Sequence, residues 1–223
     1  MRIETTVQPT DYPVSLPEVK SELRIDHADE DAHLRGYIQA ATEACERYIN
    51  GSLINRTLKL IADDWPREGG ADEDWWDGVR IGAISQVSPA RNFMEIPRGP
   101  VSAISTVQWT LLDGTTTSWV QGTDYLFSAS WSSAQMARIT RRLGIVIPAV
   151  LQEADALEIT YTAGYGSAPA YVPPPLRVGI LKTIAHYYTL RGAADNTAAL
   201  NMSATEAPDD AKGLWRPYAQ MRV

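Results

Sequence analysis

Apolar residues recur at two different periods along this chain, and the change of period divides it. Ser15 is followed three residues later by Glu18, with Pro17 in the first turn, which predicts a capped helix carrying Val19 and Leu23 on its apolar side. A second helix is expected from Asp29 or Asp31, because Leu34, Ile38, Ala41, Cys45 and Tyr48 step by four and three along one face. Asn50-Gly51 supplies its C-terminal stop. From Asn55 to Gly164 the pattern becomes strand-like. The segments RTLKLIA, NFMEIP, VSAISTVQWTLL, TTTSWV, DYLFS, ARIT and ALEITYT read as short strands, with Asp113-Gly114 as a turn. After the prolines at 173–175 a third helix shows Leu176, Ile180, Ile184 and Tyr187 on one face and ends at Gly192.

This order predicts an α+β fold: a small helical core of two N-terminal helices plus one C-terminal helix, an inserted antiparallel β region and a flexible C-terminal arm. The expected parts are an N-terminal helical segment (1–54), the β-rich insertion (55–164), the C-terminal core helix (165–192) and a linker with a terminal arm (193–223). Residues 63–77 hold seven acids, one arginine and three tryptophans, and are expected to form an exposed loop. Residues 193–213 are rich in Ala, Asn, Ser, Thr and Asp and are expected to be unstructured.

Composition narrows the function classes. A formal net charge of −7 argues against a general nucleic-acid binder, which needs a basic face. Cys45 is the single cysteine, so neither an internal disulfide nor a cysteine-based zinc site is available. The first residues lack the apolar stretch of a signal peptide, and the longest apolar run, LGIVIPAVL, is far too short to span a bilayer. The expectation is a soluble protein made in the cytoplasm, without a membrane partner.

The motifs that could carry chemistry fail on their own requirements. Gly164-Tyr165-Gly166 lies between a strand and a helix, where phosphate loops occur. No lysine follows it, and position 169, where a dinucleotide fingerprint has its third glycine, is proline. Gly164 and Gly166 are read instead as a hinge at a sharp strand exit. An EF-hand starting at Asp26 would need glycine at position 31 and glutamate at 37, where this chain has Asp31 and Tyr37. His27, His33 and His186 form no ligand spacing, and Cys45 falls on an apolar stripe. No catalytic residue, cofactor or metal is expected.

Two features suit protein–protein contact. Arg138, Arg141 and Arg142 are opposite in sign to the acidic segment holding Asp72, Glu73 and Asp74, and are candidates for an inter-subunit contact. Leu214, Trp215, Arg216, Tyr218 and Arg222 combine aromatic anchors with arginines at the chain end, as binding hot spots do. The alternative is a tail folded back onto its own core.

SLPEVKSELRIDHADEDAHLRGYIQAATEACERYINGSLINRTLKL resembles the N-terminal signature of the phage head–tail connector, or head-completion adaptor, family. IPRGPVSAISTV resembles that family's central strand, and ITYTAGYG with VPPPLRVGILKTIAHYYTLR resembles its closing strand, glycine turn and final helix. The similarity spreads over residues 14 to 192. It implies a non-enzymatic virion assembly protein of bacteriophages and gene transfer agents, forming a ring, twelve subunits by family precedent, beneath the portal protein. The ring would extend the DNA channel without binding DNA specifically and would dock the next tail or stopper protein, with the C-terminal segment as the arm that reaches the portal. The alternatives are a hydrolase or nucleotide-binding enzyme with an unrecognised site, and a tail-side structural module that does not touch the portal.

Overall fold

The computed structural model describes residues 1–65, 75–76, 79–80, 93–148, 151–190 and 207–220. Strand β1 (Arg2–Val7) leads into helices α1 (Leu16–Leu23) and α2 (Asp31–Ile49). Strands β2 (Arg56–Ala62), β3 (Trp75–Trp76), β4 (Val79–Arg80), β5 (Phe93–Ile96), β6 (Val101–Thr110), β7 (Thr116–Trp119), β8 (Tyr125–Ser128), β9 (Ala137–Arg141) and β10 (Leu157–Ala163) follow. Helices α3 (Pro174–Leu190) and α4 (Asp209–Trp215) close the described chain. The α+β fold is the one the sequence implies, with helices at both ends and antiparallel sheets between.

Local chemistry explains the helix limits. The Ser15 backbone N–H donates to Glu18 Oε2 at 2.8 Å, and its hydroxyl donates to the same oxygen at 3.0 Å, so the expected capping pair forms. Asp31 opens α2 where a carboxylate favours the positive helix end, and Lys20 holds it at 2.5 Å. Asn50, left-handed at φ 52°, ends the helix. Leu34, Ile38, Ala41 and Cys45 are buried as the stripe requires, but Ile49 rather than Tyr48 continues it. Tyr48 lies at the rim, its ring 5.8 Å from that of Trp215.

Five antiparallel strands form one sheet in the order β1-β2-β10-β6-β7, and β5-β9-β8 form a second. Central β10 alternates cleanly, with Leu157, Ile159, Tyr161 and Ala163 inward, as one face against a core demands. The two sheets share a hydrophobic cluster, and the Tyr161 hydroxyl donates across it to the Pro97 carbonyl at 3.0 Å. A separate cluster unites α1, α2, α3 and α4 through Val19, Ile38, Cys45, Ile180 and Trp215.

Three expectations change. Strand β1 lies in the segment expected to be the N-terminal helical part, and it pairs with β2 of the β region. Its largely exposed residues lack the alternation that marks a half-buried strand. Trp65 does not sit on an exposed loop: it is 3 % exposed and packs with Trp109 and Trp119, ring centroids 6.4 and 5.4 Å away. Most of the remaining acidic segment lies outside the described residues. Residues 207–213, expected to be unstructured linker, instead carry a helix start, with Pro208 at the N-cap and Asp209 and Asp210 in the first turn.

That last helix corrects the expectation of a free C-terminal arm. Ala211 and Trp215, one turn apart, are completely buried against α3. Trp215 packs against Gly179, where a Cβ would collide with the indole, and its Nε1–H donates to the Leu176 carbonyl at 3.3 Å. An indole gains far more from this apolar cleft than from water, so the tail folds back. Trp215→Ala is expected to cost about 3–5 kcal/mol in chemical denaturation. A change within about 0.5 kcal/mol, as at a surface site, would mean that the tail is not part of the core.

Candidate assembly interface

The glycine turn is where the β insertion rejoins the helices. Gly164 has φ +139°, and a Cβ there would stand 2.5 Å from the Asn55 nitrogen and 2.6 Å from the Ile54 carbonyl carbon. The turn is tied down rather than hinged. Gly164 N–H donates to the Pro100 carbonyl at 2.8 Å, Tyr165 N–H to Leu53 at 3.0 Å, and Asn55 N–H to Gly166 at 2.9 Å. Gly166 is required for a different reason: its missing side chain leaves room for the Tyr171 ring. Pre-formed backbone bonds use the polar groups that a ligand would need, so nothing here is arranged to cradle phosphate.

Around this junction the C-terminal segment and the loop between β8 and β9 meet. Ser133, completely buried, donates to the Tyr218 carbonyl at 2.6 Å, and its own N–H donates to the Tyr165 hydroxyl at 3.1 Å. Gln220 N–H reaches the Ile49 carbonyl at 3.2 Å, and the Asn50 side chain donates to Gln220 Oε1 at 2.8 Å. Leu214 and Tyr218 are half-buried and Arg216 is exposed, while Arg222 lies outside the described residues. The proposed docking residues are therefore divided, with Trp215 inside and Arg216 on the surface.

The basic cluster is engaged within the chain itself. Arg138 pairs with Glu95 across β5 and β9 at 3.2 Å, and its guanidinium lies 4.7 Å from the Phe93 ring centroid. Arg142 donates to the Gly122 carbonyl at 2.5 Å, and Arg141 also has a partner. Asp72, Glu73 and Asp74 lie outside the described residues. Among the described residues no group of three His, Cys, Asp or Glu side chains could hold a metal ion. No helix among them is long and apolar enough to cross a membrane.

A groove runs between the N-terminal segment 8–16 and the exposed side of α2. One part, about 430 Å³, is walled by Tyr12, Leu16, Arg35, Gly36 and Gln39. The adjoining part, about 320 Å³, continues past Gln39 to Glu46 and Arg56. Glu46 is 7 % exposed; it accepts Leu53 N–H at 3.0 Å and pairs with Arg56 at 2.5 Å. Burial pushes its carboxyl up from the usual value, and the Arg56 guanidinium opposes that shift. Cys45 beside it is buried, and desolvation pushes its thiol up and keeps it protonated. The sequence pattern did not reveal the groove, because it joins segments twenty residues and more apart.

Residues 13–75 match the family described as phage gp6-like head-tail connector protein. The resemblance to head–tail connectors holds. The chain is also similar to solved structures over its whole length. A chain from the neck of the empty GTA particle, computed with C6 symmetry, is 22 % identical at a TM-score of 0.71, with 100 % of this chain and 97 % of that one covered. A chain of the virion of the native gene transfer agent particle is 21 % identical with a TM-score of 0.70 and the same coverage. A chain from the native GTA neck computed with C12 symmetry is 22 % identical with a TM-score of 0.65, again over 100 % and 97 %. At such identity the likeness establishes the fold. Among curated proteins, none matches this connector-like chain by sequence.

The buried ion pair of the groove yields a pH prediction. Arg56→Met removes the nearest countercharge of the Glu46 carboxylate and leaves only the weaker pull of Arg98, so it should cost about 3–5 kcal/mol at neutral pH. The folded-state pKa of Glu46 is already raised, and losing Arg56 raises it further. The folded state then binds more protons than the unfolded one between the two pKa values, so the variant regains stability as pH falls through the folded pKa. Urea midpoints of both proteins between pH 8 and 5 check this: the deficit should shrink towards acid. A deficit independent of pH would show that Glu46 is not carrying the charge.

Proposed function

We propose that this chain is a structural head–tail connector in the neck of a virion or virion-like particle. The observation that carries the reading is the fold match along the entire chain to proteins of gene transfer agent necks, joined to the connector-family match at residues 13–75. In this reading copies assemble as a ring beneath the portal protein, and the ring extends the DNA channel and receives the next tail or stopper protein. The C12 symmetry of a similar neck supports a twelve-membered ring. A net charge of −7 suits a channel through which DNA passes without adhering, since phosphate contacts from Lys and Arg supply nonspecific DNA affinity.

Particles made without this protein should accumulate as heads lacking tails, and imaging of complete particles should place it at the head–tail junction. Normal tailed particles formed in its absence would overturn the reading. A structural role also predicts unchanged thermal unfolding with ATP, NAD or divalent ions. A specific ligand at one hundred times its Kd would stabilise the fold by about 2.7 kcal/mol, and such a shift would point to a binding or catalytic function instead.

A further inference from the structure

Trp131 is 85 % exposed, yet the loop that carries it is not slack. Ser130 on one side is 4 % exposed; its N–H donates to the Val101 carbonyl at 3.2 Å, and its hydroxyl accepts Val101 N–H at 2.8 Å. Ser133 on the other side is completely buried and bound to Tyr165 and Tyr218. An indole held in water by a loop pinned on both sides loses little freedom on binding, which is how a pre-organised anchor behaves.

The groove beside α2 has the complementary form. Gly36 lies inside the helix, where glycine costs roughly 0.5–1 kcal/mol relative to alanine. Among the described residues no packing explains it, because a Cβ there would meet no atom within 4 Å. The glycine opens the groove floor between Tyr12 and Leu16, and Arg35 is exposed at the rim. An apolar wall, an open floor and an arginine able to lie over a ring make a receptor for an aromatic side chain.

The two features sit at opposite ends of α2. The Trp131 loop abuts the C-terminal end, where a Cβ on Gly51 would come within 2.7 Å of Ser133 Cβ. Gly36 is fifteen residues earlier, roughly 22 Å at 1.5 Å per residue. A chain cannot fill its own groove with its own Trp131. Two different patches far apart on one molecule are what a head-to-tail contact between identical copies uses, and such contacts form rings when the rotation between copies closes.

We infer that Trp131 of one copy inserts into the groove over Gly36 of the next copy. This rests on the ring reading above, since cyclic symmetry is what sets a second copy against both patches. The test mixes two full-length variants, one Ser132→Cys and one Gln39→Cys, under mild oxidation; Cys45 is completely buried and stays silent. A disulfide-linked pair joining the two variants is expected. Gly36→Leu should fill the groove and weaken ring assembly about tenfold or more, without lowering the melting temperature, because leucine is the better helix former. Trp131→Ala should weaken assembly similarly, as loss of a tryptophan hot spot does. Rings that form without the cross-link, or that form equally well in both blocking variants, overturn this contact and leave the ring reading standing. A chain that never self-associates overturns both.

Discussion

Everything in this fold depends on how the β insertion is tied to the helical body. The chain leaves that body at Leu53–Asn55 and returns at Gly164–Gly166, and the two strands of that crossing are joined by backbone hydrogen bonds. The approach is so close that a side chain at position 164 would overlap the backbone of Ile54 and Asn55. Pro100, which accepts the Gly164 N–H, brings the start of β6 to the same point. The helical and β clusters are thereby held in register by main-chain groups, which are indifferent to side-chain changes elsewhere.

The C-terminal segment gains its place from the same junction. Trp215 closes the cleft between α2 and α3, and the residues after it bind the end of α2 and the Ser133 loop. One buried indole therefore supports both the helical core and the loop that presents Trp131. In an assembling particle this arrangement would transmit a contact at Trp131 to the body through packed groups rather than through a flexible tether.

Several ion pairs tie separate elements together. Glu46 and Arg56 neutralise each other beneath the groove, Arg138 and Glu95 bridge neighbouring strands, and Arg177 holds Glu18 and the Pro13 carbonyl. Each pair joins elements distant in sequence or in different strands. The buried Glu46–Arg56 pair adds little net stability, but removing one partner is costly, which fixes geometry. The exposed Arg138–Glu95 pair contributes at most about 1 kcal/mol.

The sequence alone determined what short-range physics controls. The capping pair at Ser15 and Glu18, the stripe of α2, the strand segments, the Asp113-Gly114 turn and the face of α3 were legible because period, capping and turn chemistry act within a few residues. The resemblance to head–tail connectors was legible for the same reason, since it rests on local motifs in a given order. Tertiary structure alone decided which of several apolar residues went inside. Trp65 and Trp215 looked like surface aromatics among polar neighbours, and each found a cavity built by residues far away: Trp109 and Trp119 for one, Gly179 and Tyr48 for the other. Trp131, flanked by serines, found none and stayed in water. Burial of a large side chain depends on the volume and partners that distant segments bring together, and no local pattern encodes that.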